Sequence, residues 1–122
     1  MRLTFLWTGT STGIPTLGCH FGVCTSRDPR DQRTQPSRLI QFEGRALVID
    51  TTPDFRAQAL RENPNRLDAV LFTHSHADHS LGLDDVRSFY FRQEKTIPIY
   101  ADAYSMVHIQ RAFEYTFDAV YP

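Results

Sequence analysis

Residues 67–80, LDAVLFTHSHADHS, constrain the fold more than any other stretch: an apolar run ends directly in three histidines and an aspartate within six positions. The chain has only five histidines, so composition does not account for the crowding. Spacing decides what the cluster can do. Side chains two apart on a helix point to nearly opposite sides, whereas on an extended segment they share a face. His74 and His76 can therefore close on one ion only from the end of a strand. Asp78 and His79 follow on a turn, aimed most simply at a second ion beside the first. Imidazole and carboxylate together suit zinc, with manganese or iron also accommodated. Two adjacent divalent ions would make a nucleophile of water at neutral pH and clamp the oxygens of a phosphoryl or acyl centre. The helix-borne alternative, H-E-x-x-H, does not occur in the sequence.

The remaining chain must then build a sheet around that strand. Leu3 to Thr8 reads as a first strand closed by Gly9, and SRLIQFE and ALVIDT as two more joined by a tight turn at Glu43-Gly44. Thr52 caps and Pro53 opens a helix with Phe55, Ala59 and Leu60 on its apolar face, and Asn63-Pro64 stops it. Ser80 to about Phe91 reads as helical and TIPIYA as a short strand. Asp102 caps a last helix carrying Met106, Ile109 and Phe113 on one side. A hairpin followed by alternating strands and helices predicts a layered α/β domain. Between Thr10 and Pro36 the sequence is rich in Gly, Pro, Ser and Thr without any period. A loop that long inside a compact domain is functional or tied down.

At 122 residues the chain fits one domain, and 41% apolar with 22% charged residues is ordinary for a folded protein. A formal charge of −1 gives no field to recruit nucleic acid or an anionic membrane, and no apolar run approaches a membrane span. The opening MRLTFLWTGT has too short an apolar stretch for a secretion signal. A cytoplasmic setting is therefore expected, with Cys19 and Cys24 reduced; in an exported chain two cysteines five apart could form a disulfide, but nothing in the sequence signals export.

THSHADH matches the T-H-x-H-x-D-H motif of metallo-β-lactamase-fold hydrolases, and the likeness extends through TGTSTGIPTLGC, the ALVID strand and HSLGLDDVRSF. Together these resemble the PhnP-like branch, whose described activity is hydrolysis of cyclic phosphodiesters. The resemblance implies a phosphodiesterase that acts on a small phosphorylated substrate with two divalent ions. His74 and His76 would bind the first ion, and Asp78 and His79 the second. Asp78 would also orient the bridging hydroxide, which gives it a catalytic role. Asp50, at the end of the ALVID strand, would accept a hydrogen bond from a ligand histidine, or is simply a helix-leading carboxylate two residues before Thr52. The implied fold is an αββα sandwich, of which residues 1–122 make a partial domain, the N-terminal half. The family's further ligands, a third histidine, a bridging aspartate and a last histidine, lie downstream of the positions this sequence reaches. Such a half leaves one sheet face bare, and a homodimer is one way to cover it. Two readings compete. One is another hydrolase of this fold, acting on an ester, a thioester or RNA, although no basic patch with interleaved aromatics supports RNA. The other is an inactive half-domain that binds metal or a partner.

Further residues invite lesser roles. The PhnP-like branch often carries G-C-x-C-x-x-C and holds a structural zinc there, but this chain reads GCHFGVC, with Phe21 where the middle cysteine would stand. Cys19 and Cys24, even with His20, give two or three of the four donors required, so thiols are expected ahead of a structural zinc. TGTSTG, Thr8 to Gly13, offers N–H groups and hydroxyls to a phosphate, or is simply a turn of small residues. Asp84 and Asp85 read as helix-start carboxylates, Arg87 and Arg92 as solvated, and His108 as a surface residue.

Overall fold

The computed structural model describes residues 1–118 and contains one five-stranded sheet in sequence order. Its strands are β1 (Arg2–Trp7), β2 (Ser37–Phe42), β3 (Arg45–Ile49), β4 (Ala69–Leu71) and β5 (Ile99–Tyr100). The first three are antiparallel. Glu43 and Gly44 both take positive φ, 48° and 73°, which is the backbone a two-residue hairpin turn needs. β3, β4 and β5 run parallel, so helices must carry the chain back between them. α1 (Phe55–Glu62) makes the first crossover, and α2 (Ala77–Ser80) with α3 (Arg87–Gln93) makes the second. α4 (Ala103–Ala112) and α5 (Glu114–Phe117) follow β5.

Alternation sorts the strand residues onto two faces. Leu39, Val48 and Val70 lie in register on one face and are buried against Phe55 of α1 and Ile109 of α4, with Phe113 beside them. The opposite face carries two cross-strand rows. Leu3, Ile40, Leu47 and Ala69 form one, and Phe5, Arg38, Ile49, Leu71 and Tyr100 the other. Leu3, Phe5 and Tyr100 each keep more than half of their surface exposed. Among the described residues, helices thus cover one side of the sheet only, as expected for one half of a layered sandwich. No helix among the described residues is long and apolar enough to cross a membrane.

Several local expectations are corrected. Thr52 does not cap α1 directly: its hydroxyl accepts the Asp54 N–H at 3.2 Å, and the helix begins at Phe55. Leu60 is exposed, and Gln58 holds the buried position instead. Its amide donates to Thr34 Oγ1 (2.9 Å) and to the Gln35 carbonyl (2.8 Å), which fastens the end of the long loop to α1. The helix expected from Ser80 is broken at Leu81-Gly82, passes through a 3₁₀ turn at Leu83–Val86, and resumes as α3. Asp102 caps α4 as expected, accepting from the N–H groups of Tyr104 and Ser105 at 3.0 and 3.1 Å.

Cys19 and Cys24 are neither free thiols nor zinc ligands. They are joined as a disulfide, because turns closed by Cys19 N–H on the Thr16 carbonyl and Cys24 N–H on the Phe21 carbonyl bring their Cα atoms to 5.9 Å. That separation is ordinary for a bridge, and sulfurs bonded to each other offer no thiolate to a metal.

The break at Gly82 has a steric cause. Its N–H donates to the Thr51 carbonyl at 2.9 Å, and a Cβ there would overlap the Thr52 carbonyl oxygen and sit 2.7 Å from Phe55 Cβ. Gly82→Ala is expected to destabilise the protein by about 1–3 kcal/mol, the usual cost of overpacking, as read from urea denaturation. An unchanged midpoint would mean that this contact relaxes freely.

Candidate metal centre

Parallel pairing of β3 and β4 sets their carboxyl ends side by side, the place where open α/β sheets hold their ligands. Asp50 leaves β3 with φ of 61° while its N–H still donates to the Leu71 carbonyl at 2.8 Å. The positive φ turns the chain sharply, and aspartate tolerates that region better than most residues. His74 leaves β4 across the gap. His76 is extended (φ −62°, ψ 152°) and starts the single turn of α2, which carries Asp78 and His79.

His74, His76 and Asp78 each present a ligand atom, all within 4.8 Å of one another. His74 and Asp78 are half-buried and His76 is exposed. His79 joins the same cluster: its ring centroid lies 4.0 Å from that of His74, and its Nε2 is 3.2 Å from Asp78 Oδ2. His74 thus lies close to both His76 and His79, with ring centroids 4.6 and 4.0 Å from its own, while Asp78 faces His79. Imidazole nitrogens with a carboxylate, gathered this closely, fit a divalent cation of the zinc type.

Beneath the cluster lies a fully buried carboxylate. Asp50 accepts from Thr73 N–H at 2.8 Å, from Thr73 Oγ1–H at 2.8 Å and from His79 Nδ1–H at 2.9 Å. A histidine whose Nδ1–H is held by a carboxylate keeps the Nε2 lone pair outward, which is how ligand histidines are usually oriented. The loop itself is tied down by Ser80, whose hydroxyl donates to the carbonyls of His76 (3.0 Å) and Ser75 (3.2 Å).

The other residues singled out in the sequence stand apart. Asp84 accepts from the Tyr115 hydroxyl at 2.7 Å, a bond that raises the Tyr115 phenol above its ordinary value, and pairs with Arg87 at 3.2 Å. Arg92 donates to the carbonyls of Pro64 and Asn65, and His108 packs on Tyr104 along α4. In TGTSTG the N–H groups of Gly9 and Gly13 pair with the carbonyls of Thr34 and Thr10. Hollows of about 370 and 430 Å³ lie along α1 and α3 and along α4 and α5, and neither is lined by a histidine. The residues around the site that sequence reasoning missed are Thr73, bound to Asp50, and Gly82, packed against Thr52 and Phe55. Thr73 was visible as the residue before the first histidine, and Gly82 as the one glycine between motif and helix.

A family profile described as Beta-lactamase superfamily domain matches residues 45–121. The chain is 45% identical over 118 residues to an octanoyltransferase of Porphyromonas gingivalis, covering 96% of this chain and 24% of that protein. It is 34% identical over 83 residues to a ribonuclease Z of Bradyrhizobium diazoefficiens, covering 66% of this chain and 22% of that protein. The chain thus spans about a quarter of the length of these curated relatives. Among solved structures, a diphosphatase from the PhnP family superposes with a TM-score of 0.90 at 48% identity, over 94% of this chain and 46% of that one.

Proposed function

We propose, from the premise that the chain belongs to the metallo-β-lactamase superfamily, that it carries the first set of metal ligands of a phosphodiesterase acting on small phosphate esters. The observation that carries this reading is the gathering of His74, His76 and Asp78 within 4.8 Å, with His79 held beside them by buried Asp50. In the reading, His74, His76, Asp78 and His79 hold two divalent ions, with zinc first in preference and manganese or iron next. Ions bound there would polarise a phosphoryl oxygen and make water nucleophilic at neutral pH. Asp78, grouped with His74 and His76 and facing His79, holds and orients the attacking water. Asp50 and Thr73 keep the ligand rings turned toward the site.

Likeness to the PhnP-family diphosphatase over nearly the whole chain supports a phosphoester substrate over an ester or thioester. The ribonuclease Z match supports RNA as the second choice, because it too joins this fold to phosphodiester chemistry. The bare sheet face, with Leu3, Phe5 and Tyr100, takes a further layer in this reading, from more chain or from a second copy. A cytoplasmic setting belongs to the same reading, and there the Cys19–Cys24 bridge would be open to reduction.

Hydrolysis of bis(p-nitrophenyl) phosphate by the zinc- or manganese-loaded protein tests it. Turnover that stops on chelation and returns with added metal is expected. Stoichiometric metal without turnover of this or any ester would make the chain a binding module instead.

A further inference from the structure

Proton accounting around Thr73 fixes more than a hydrogen bond. The Thr73 hydroxyl lies 2.8 Å from Asp50 Oδ2 and 3.0 Å from His74 Nδ1. Asp50 accepts the Thr73 N–H on Oδ1 and the Thr73 hydroxyl on Oδ2, and His79 Nδ1 lies 2.9 Å from that same Oδ2. A hydroxyl has one proton. Thr73 must donate it to Asp50, which leaves only oxygen lone pairs facing His74. The ring nitrogen at 3.0 Å must then be the donor, so His74 carries its proton on Nδ1 and its lone pair on Nε2.

We infer that Thr73 is the positioning residue for the first metal ligand, transmitting the orientation set by Asp50 to His74 through one hydroxyl. Asp50 reaches His79 directly and His74 only by way of Thr73. One buried carboxylate thereby sets the tautomer of both rings, although the two residues are five apart and leave the backbone on different elements. The N–H and the hydroxyl of Thr73 both bind Asp50, one to each oxygen, so the relay cannot rotate away while the clamp holds. A serine would keep this chemistry. Valine, of the same shape, would keep the N–H clamp and lose the relay.

The inference rests on reading His74 and His79 as metal ligands, but its primary test needs no metal. Two-bond ¹H–¹⁵N correlation spectra of the metal-free protein report which nitrogen of each ring is protonated. His74 is expected as the Nδ1–H form in the parent and in Thr73→Ser. In Thr73→Val it is expected to shift toward the Nε2–H form, while His79 stays Nδ1–H. Zinc affinity, measured by competition with a chromophoric chelator, is expected to fall about 10- to 100-fold in Thr73→Val, the usual cost of losing such a partner. Thr73→Ser is expected to stay within about 3-fold of the parent, since the hydroxyl is retained. An unchanged His74 tautomer in Thr73→Val would overturn the inference, as would Thr73→Ser behaving like Thr73→Val. Tautomers that shift as stated in a protein that binds no zinc would uphold the relay and sink the metal reading alone.

Discussion

Asp50→Ala is expected to destabilise the protein by about 3–5 kcal/mol, out of a total that for a domain of this kind is about 5–15 kcal/mol. Asp50 has no exposed surface and accepts three hydrogen bonds. Its removal leaves the Thr73 N–H, the Thr73 hydroxyl and the His79 Nδ1–H without their partner on the side that faces the buried Asp50 position, although Thr73 itself is exposed and His79 half-buried. Each stranded donor costs about 1–3 kcal/mol. Alanine also meets the φ of 61° with a Cβ that the left-handed region disfavours. Asp50→Asn separates these causes. Asparagine accepts that backbone and fills the same volume, but its amide nitrogen would point a donor at donors. It is expected to recover part of the stability and none of the ring orientation. Urea denaturation of both variants checks this, and a loss under about 1 kcal/mol in Asp50→Ala would show that the three contacts do not hold the loop.

The same residue shows how far the sequence could be read. That a strand must run into HSHADH followed from alternation alone, and β4 ends three residues before His74. The hairpin at Glu43-Gly44 and the cap at Asp102 were equally local, each decided by a few neighbouring residues. The clamp on Asp50 was not. It joins positions 23 and 29 apart in the chain, and depends on β3 and β4 being adjacent and parallel. Gln58 in the core instead of Leu60 has the same origin, since its partners Thr34 and Gln35 arrive from the distant end of an aperiodic loop. The break at Gly82 depends on the close approach of the Thr52 carbonyl, invisible until α1 is in place. The cysteines misled for the opposite reason. They were expected as thiols because of the expected cytoplasmic setting, whereas two successive turns decide what they meet.

Asp78→Ala is expected to do what Asp50→Ala does not: abolish metal binding while leaving the fold alone. Asp78 is partly exposed, sits on the single turn of α2, and has its Oδ2 3.2 Å from His79 Nε2. Truncating it strands no buried donor, so stability should stay within about 0.5 kcal/mol of the parent. The ligand set tells a different story. Asp78 is the one carboxylate grouped with His74 and His76, and it also faces His79. Its loss therefore subtracts a donor and a negative charge from both sides of the centre. Partners that merely orient a ligand are worth about 10- to 100-fold in affinity, so losing this direct donor should exceed about 100-fold. Phosphodiester turnover should fall with it, because the group proposed to orient water is the one removed. Elemental analysis after gel filtration reads the first effect, beside His74→Ala and His76→Ala, which should lose metal likewise. Full metal content in Asp78→Ala would place the ion elsewhere. Normal metal with lost turnover would confine Asp78 to handling water and leave the holding of the ion to the histidines.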